Sequence, residues 1–149
     1  MKSIKCLKHV PLFRKCVFVY ENGQILIKFD NKDNYNPIDL NEEIKLSDED
    51  RPNNICLISD NHVLICCNNS TLYSIKFSHF KEAPTMTKAQ IPDLPADSVV
   101  YDVIKTSKNE HLICTSVGLV RRNLSIDREG TNFIMTNVFP DSQSYIDCF

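Results

Sequence analysis

The sequence has no tryptophan and only three glycines in 149 residues. Loops that cradle phosphate rely on glycine-dense backbone, so three glycines nearly exclude them. No window approaches the roughly 18–20 apolar residues of a membrane span. The N-terminal segment carries Lys2, Lys5, Lys8, Arg14 and Lys15. It lacks the uninterrupted apolar stretch of roughly 7–15 residues that a secretory signal needs. A basic excess is missing too. The net charge is −2, whereas nucleic-acid and membrane-surface partners usually demand positive charge. Gly-x-Ser-x-Gly, His-Glu-x-x-His and Asp-x-Asp calcium loops are all absent, so no catalytic pattern stands out.

Cysteine is plentiful: Cys6, Cys16, Cys56, Cys66, Cys67, Cys114 and Cys148. The number is odd, and five of them (Cys16, Cys56, Cys66, Cys67 and Cys114) lie in apolar, strand-like runs. Reduced cysteines used as small core hydrophobes behave this way. A secreted disulfide framework would favour an even count in a shorter chain. The expected setting is a reducing compartment, cytoplasm or nucleus.

Strand signals dominate. Cys16–Tyr20 and Gln24–Phe29 flank Glu21-Asn22-Gly23, a strong hairpin signal. His62–Cys67 and Thr71–Phe77 repeat the arrangement around Asn68-Asn69-Ser70. His111–Thr115 and Gly118–Leu124 repeat it around Ser116-Val117. Each hairpin follows a further strand, at Ile4–Val10, Asn54–Ser59 and Val100–Thr106. A looser fourth segment comes after each: Ile38–Leu46, Thr85–Ile91 and Asn132–Phe139. The middle hairpins recur about every 47 residues, as Ile25, Leu72 and Leu119 show. Four strands at a period of roughly 40–50 residues mark propeller blades. One twisted sheet cannot bury both faces alone, so stacked sheets must cover one another. Continuous apolar runs such as Val63–Cys67 are then expected in the buried middle.

These residues resemble the β-propeller repeat families. The third unit is the clearest, with Tyr101-Asp-Val-Ile104 and then His111-Leu-Ile-Cys-Thr-Ser-Val-Gly-Leu-Val-Arg121. The second unit is similar, with Thr71 where the third has Gly118. The resemblance covers nearly the whole chain and is WD-repeat-like. The Trp-Asp ending and Gly-His start of WD repeats are absent. It implies an all-β fold of about three four-stranded antiparallel blades, over residues 1–50, 51–97 and 98–140. A further blade opens at 143–149, so the propeller is incomplete.

Candidate sites are few. Cys66 and Cys67, with His62 and Cys114, do not make a metal site. The spacing is wrong, and adjacent strand residues point to opposite faces. His62 and His111 open the second strands of their units, which favours a structural hydrogen bond. Asp102 is read the same way. Residues 40–50 read as a solvated acidic loop or an edge strand. Arg121, Arg122 and Lys105, with Arg14 and Lys15, are the candidate partner-binding residues, although solvated charge is the commoner use of such positions. The expected function is therefore a non-catalytic protein–protein interaction scaffold within a larger propeller protein or complex. Its partners are other protein subunits, with no cofactor, no membrane and no small-molecule substrate indicated. A nucleic-acid-associated propeller subunit of a nuclear complex and a propeller-type hydrolase or ligand sensor are the alternatives.

Overall fold

A computed structural model describes residues 3–29, 44–78, 84–108, 110–126, 133–137 and 146–147. The first sheet holds β1 (Ile4–Val10), β2 (Lys15–Tyr20), β3 (Gln24–Phe29) and β4 (Ile44–Lys45). The second holds β5 (Pro52–Ser59), β6 (His62–Cys67), β7 (Thr71–Lys76) and β8 (Thr85–Gln90). The third holds β9 (Val100–Ser107), β10 (Glu110–Thr115), β11 (Gly118–Ile126) and β12 (Phe133–Asn137). Every sheet is antiparallel, with its strands side by side in chain order. A single 3-10 turn at Pro11–Phe13 joins β1 to β2, and there is no α-helix among the described residues. The fold is all-β, with three four-stranded sheets. The first strands lie together, β5 against β1 on one side and β9 on the other.

The hairpins follow from their turn residues. Gly23 has φ +89° and its N–H bonds the Tyr20 carbonyl at 2.9 Å, closing a three-residue loop. Asn69 and Ser70 both have positive φ, and the Thr71 N–H reaches Asn68 O. That is the type I′ geometry matched to strand twist. A Cβ on Gly23 would lie 3.3 Å from Leu46 Cβ in a backbone region hostile to side chains. Gly23→Ala should therefore lose about 1–2 kcal/mol in a denaturant titration. An unchanged midpoint would refute this reading of the turn.

Two cores separate the three sheets. Val17, Val19, Ile25 and Ile27 of the first sheet meet Ile55, Val63, Ile65, Tyr73 and Ile75 of the second. Cys56, Leu64, Cys66 and Leu72 leave the second sheet's other face and meet Val103, Ile113 and Val120 of the third. Alternate residues along β6 thus feed alternate cores, because strand side chains alternate between faces. Both faces of the middle sheet are covered, and the five residues Val63–Cys67 are all fully buried.

The repeat is visible in the register. Val19 faces Ile25, Cys66 faces Leu72 and Cys114 faces Leu119, each at the closing end of its hairpin. The inner strands share a feature of their own. Register slips by one residue between Ile4 and Cys6 and between Pro52 and Asn54. It slips again on β9, where Cys114 and Thr115 face Asp102 and Val100. A β-bulge therefore recurs at Lys5, Asn53 and Tyr101, where it bends the strand and re-aims side chains.

Two expectations need correction. Residues 143–149 were expected to open a further blade. The described part, Ile146–Asp147 (β13), instead pairs with Leu119 and Val120 on the outer edge of the third sheet. β12 pairs with β11 only from Arg122 onward. The start of β11 thus offers unpaired ladder groups, which recruit a passing strand. The second correction concerns Asp50 alone. Ile44–Lys45 form the expected edge strand and Asp48 is exposed, but Asp50 is 2% exposed and is no solvated loop residue. Residues 30–43 lie outside the described part of the chain.

Candidate ligand-binding cleft

Asp50 sits in the connection between β4 and β5 and points beneath β7 and β8. Tyr73 and Lys88 face each other across those two strands. The Tyr73 hydroxyl donates to Asp50 Oδ2 at 2.5 Å, and Lys88 Nζ reaches the same oxygen at 2.8 Å. Lys88 Nζ also lies 5.7 Å from the Tyr73 ring centre. The Ser47 backbone N–H donates to the tyrosine oxygen at 3.1 Å. Burial by itself would push the Asp50 carboxyl up, but the hydrogen bonds from Lys88 and Tyr73 hold it below the usual carboxylate range. Its bond to Asp50 raises Lys88. Burial, and then Asp50, raise Tyr73. The carboxylate stays ionised and the ammonium stays charged.

Above this group opens a cleft of about 340 Å³, lined by Glu49, Asp50, Asn69, Thr71, Lys88, Gln90 and Ala96. Its walls are braced. Asn69 Nδ2 donates to Glu49 O at 3.1 Å, and Gln90 Nε2 to Asn69 O at 3.2 Å. Ser70 donates its N–H to Ser98 O and its hydroxyl to Pro95 O, tying the β6–β7 turn to the loop before β9. The positive φ of a serine is sustained by these bonds.

A second polar group lies on the inner strands at the bulges. Asn53 Nδ2 donates to Val100 O at 3.3 Å and Asn54 Nδ2 to Tyr101 O at 3.2 Å. Asp102 Oδ1 accepts from the Cys56 thiol at 2.9 Å and from its own neighbour, Val103 N–H, at 2.9 Å. These bonds tie adjacent sheets together at β5 and β9.

The basic residues singled out in the sequence do not form one surface. Arg121 pairs with Glu110 through Nε and Oε1 at 2.5 Å. Arg122, its neighbour on the strand, is 1% exposed and bonds the Arg121 carbonyl. Lys15 is fully buried, with Nζ 5.4 Å from the Phe77 ring centre. Lys105 and Arg14 are exposed. Lys15 and Arg122 are thus withdrawn as partner-binding residues, since alternation turns each into the protein. His62 Nε2 lies 2.6 Å from Ser74 Oγ, and His111 Nδ1 accepts from Leu124 N–H at 3.4 Å. Both histidines bond the third strand of their own sheet, as a structural role requires. The register pairs Leu64 with Ser74 and Leu112 with Arg121, so His111 corresponds to Val63 and not to His62. Among the described residues, no group of His, Cys, Asp and Glu is placed to hold a metal ion. Nor is any helix there long and apolar enough to cross a membrane.

The Asp50–Tyr73–Lys88 group was not found from sequence. Its members are spread along the chain, and Asp50 hides in an acidic run. One signal was available: Tyr73 lies between Leu72 and Ile75 in a strand read as buried, and a buried tyrosine hydroxyl needs a partner.

No protein-family model matches the chain, and no curated protein matches it. Six solved chains do. One is a crystal structure described as "a putative 6-phosphogluconolactonase from Bacteroides uniformis". The identity is 10% and the TM-score 0.62, over 91% of this chain and 40% of that one. The likeness is one of fold. This chain spans well under half the length of the solved protein it resembles. The comparison overturns the expectation of a non-catalytic interaction scaffold. The solved protein that shares this fold is described as an enzyme, so the architecture gives no ground for assigning a purely scaffolding role.

Proposed function

We propose that the three sheets are consecutive blades of a β-propeller, and that the cleft above Asp50 binds a small, neutral, hydroxyl-rich molecule. Sequential four-strand sheets, adjacent inner strands, a core in each gap and a 47-residue hairpin repeat all support the blade reading. Propellers stack four-stranded sheets around an axis in this way.

The cleft's lining carries the ligand assignment. A volume of about 340 Å³ lies within the range of small-molecule sites. The walls offer two carboxylates, an ammonium, two amides and a hydroxyl, which suits an array of ligand hydroxyls. Charge decides against a phosphorylated ligand. Lys88 is the one cation in the lining and already neutralises Asp50, so Glu49 leaves the lining net negative. The 6-phosphogluconolactonase description of the solved protein is therefore not carried over to this cleft. Asp50 is held ionised, and a carboxylate far below neutral is a weak general base. The group favours binding over proton transfer.

Titration with neutral monosaccharides and polyols, followed by amide NMR, tests the assignment. Shifts are expected at Asn69, Lys88 and Gln90, with phosphorylated sugars inactive. Lys88→Met should weaken binding at least about tenfold, the usual loss for a hydrogen bond to a charged group. Response to phosphorylated sugars alone, or none to any sugar, would remove the proposal.

A further inference from the structure

A second cleft opens beside the first, and one short stretch of backbone divides them. It measures about 540 Å³ and is lined by Glu21, Asn22, Lys45, Asp48 and Arg51. The division runs through four consecutive residues. The inner pair, Glu49 and Asp50, lines the first cleft, and the outer pair, Asp48 and Arg51, lines the second. Consecutive Cα atoms are about 3.8 Å apart, so the two linings abut.

This dividing ridge is pinned by hydrogen bonds. The Asp50 N–H donates to Ser47 O at 2.9 Å, closing a turn. Arg51 donates its N–H to Asn68 Oδ1 at 2.7 Å and its Nη1 to Asp48 O at 2.8 Å. The side-chain amides of Asn68 and Asn69 both donate to Glu49 O. The opposite wall of the second cleft is fixed as well. The Leu46 N–H donates to Gly23 O at 2.9 Å, which ties the β2–β3 turn to the residues after β4. Asn22 Oδ1 accepts from the Gln24 N–H at 3.0 Å, and Asn22 Nδ2 donates to Gln24 Oε1 at 3.2 Å. A ligand spanning both clefts meets walls already in place, so little ordering entropy is lost on binding.

The chemistry of the second lining matches that of the first. Two carboxylates are balanced by two cations, and Lys45 Nζ lies 3.0 Å from Asp48 Oδ1. The lining has no surplus cation for a phosphate and, among the described residues, no apolar side chain. Carboxylate, guanidinium, ammonium and amide groups offer both acceptors and donors to ligand hydroxyls.

We infer that the two clefts are neighbouring subsites for one neutral oligosaccharide, whose successive sugar units cross the ridge at Glu49 and Asp50. The inference rests on the reading of the first cleft as a site for hydroxyl-rich molecules and extends it from one unit to a chain. Linking two units makes the second contact intramolecular, so affinity rises with chain length.

Titration with neutral linear gluco-oligosaccharides of one to four units, in an α-linked and a β-linked series, tests this by amide NMR. In one series, chains of two or more units should bind at least about tenfold more tightly than the monosaccharide. Shifts should then reach Asn22, Lys45 and Arg51 besides Lys88 and Gln90. Arg51→Gln and Lys45→Met should each abolish most of the gain with length. Should a variant fold poorly, the pattern of shifts in the unaltered chain decides. Monosaccharide binding with no gain for longer chains in either series would overturn the inference and leave the reading of the first cleft standing. A gain that survives both variants, or shifts confined to the first cleft, would do the same. No response to any sugar would overturn both.

Discussion

Leu64→Ala is expected to cost about 2–5 kcal/mol in denaturant unfolding, the range for emptying a fully buried leucine site. Leu64 is wholly excluded from solvent and sits in the middle sheet, whose two faces are both committed to cores. Neither neighbour can collapse into the gap without disturbing its own ladder. Whole domains are stabilised by only about 5–15 kcal/mol, so the upper end of that loss would leave the chain largely unfolded. Leu57→Ala is the control. Leu57 lies on the adjacent strand and is 37% exposed, so its loss should stay below about 1.5 kcal/mol by area burial. Equal losses at the two positions would mean that the middle sheet is not sandwiched.

The second large effect is acid sensitivity. Burial, helped by Lys76, His111 and Lys105, lowers the His62 pKa from 6.5 to about 4. Burial and Lys105 lower His111 as well. In the native state these rings stay neutral where the unfolded chain takes up protons. Stability is therefore complete above about pH 6.5 and falls as pH drops from there toward 4. His62 alone accounts for about 3 kcal/mol of that fall, at about 1.4 kcal/mol per pH unit. Asp50 acts in a lower window. Its depressed pKa contributes stability that is lost only as pH falls below the ordinary carboxylate range of about 4. Urea midpoints at a series of pH values should decline between pH 6.5 and 4, and His62→Gln should flatten much of the decline. An unchanged slope in the variant would show that His62 is not the group being protonated.

Much of the architecture could be read directly from the residues. Val63–Cys67 announced a strand covered on both faces, whereas the similar run Leu112–Cys114 is covered on one face only, at Ile113. The turn residues Gly23, Asn69 and Ser70 located the hairpins. Pairing within a sheet is local, and local chemistry is what a sequence displays. What escaped was long-range or depended on a single residue of offset. The third hairpin closes through a two-residue turn, Ser116-Val117, and the loss of one residue there shifts the apparent match of His62 with His111. Lys15 and Arg122 look like surface charges until alternation carries them beneath Phe77 and the loop at Pro92. Asp50 reads as one acid among several, since its partners Tyr73 and Lys88 come from strands later in the chain. The function expected from composition failed for a related reason. Few glycines and no catalytic motif describe what a backbone lacks, whereas the cleft is made by side chains converging from four separate segments.

The division into two cores also bears on how the polypeptide becomes compact during synthesis. Val17, Val19, Ile25 and Ile27 have no cover until Ile55 through Ile75 have left the ribosome. The opposite face of those later strands then waits for Val103 through Val120 in turn. Growth is stepwise, each sheet arriving as the lid for its predecessor while exposing a fresh greasy surface of its own. The vulnerable interval recurs with every sheet, so a nascent chain that pauses between sheets meets chaperones with about one sheet face bare.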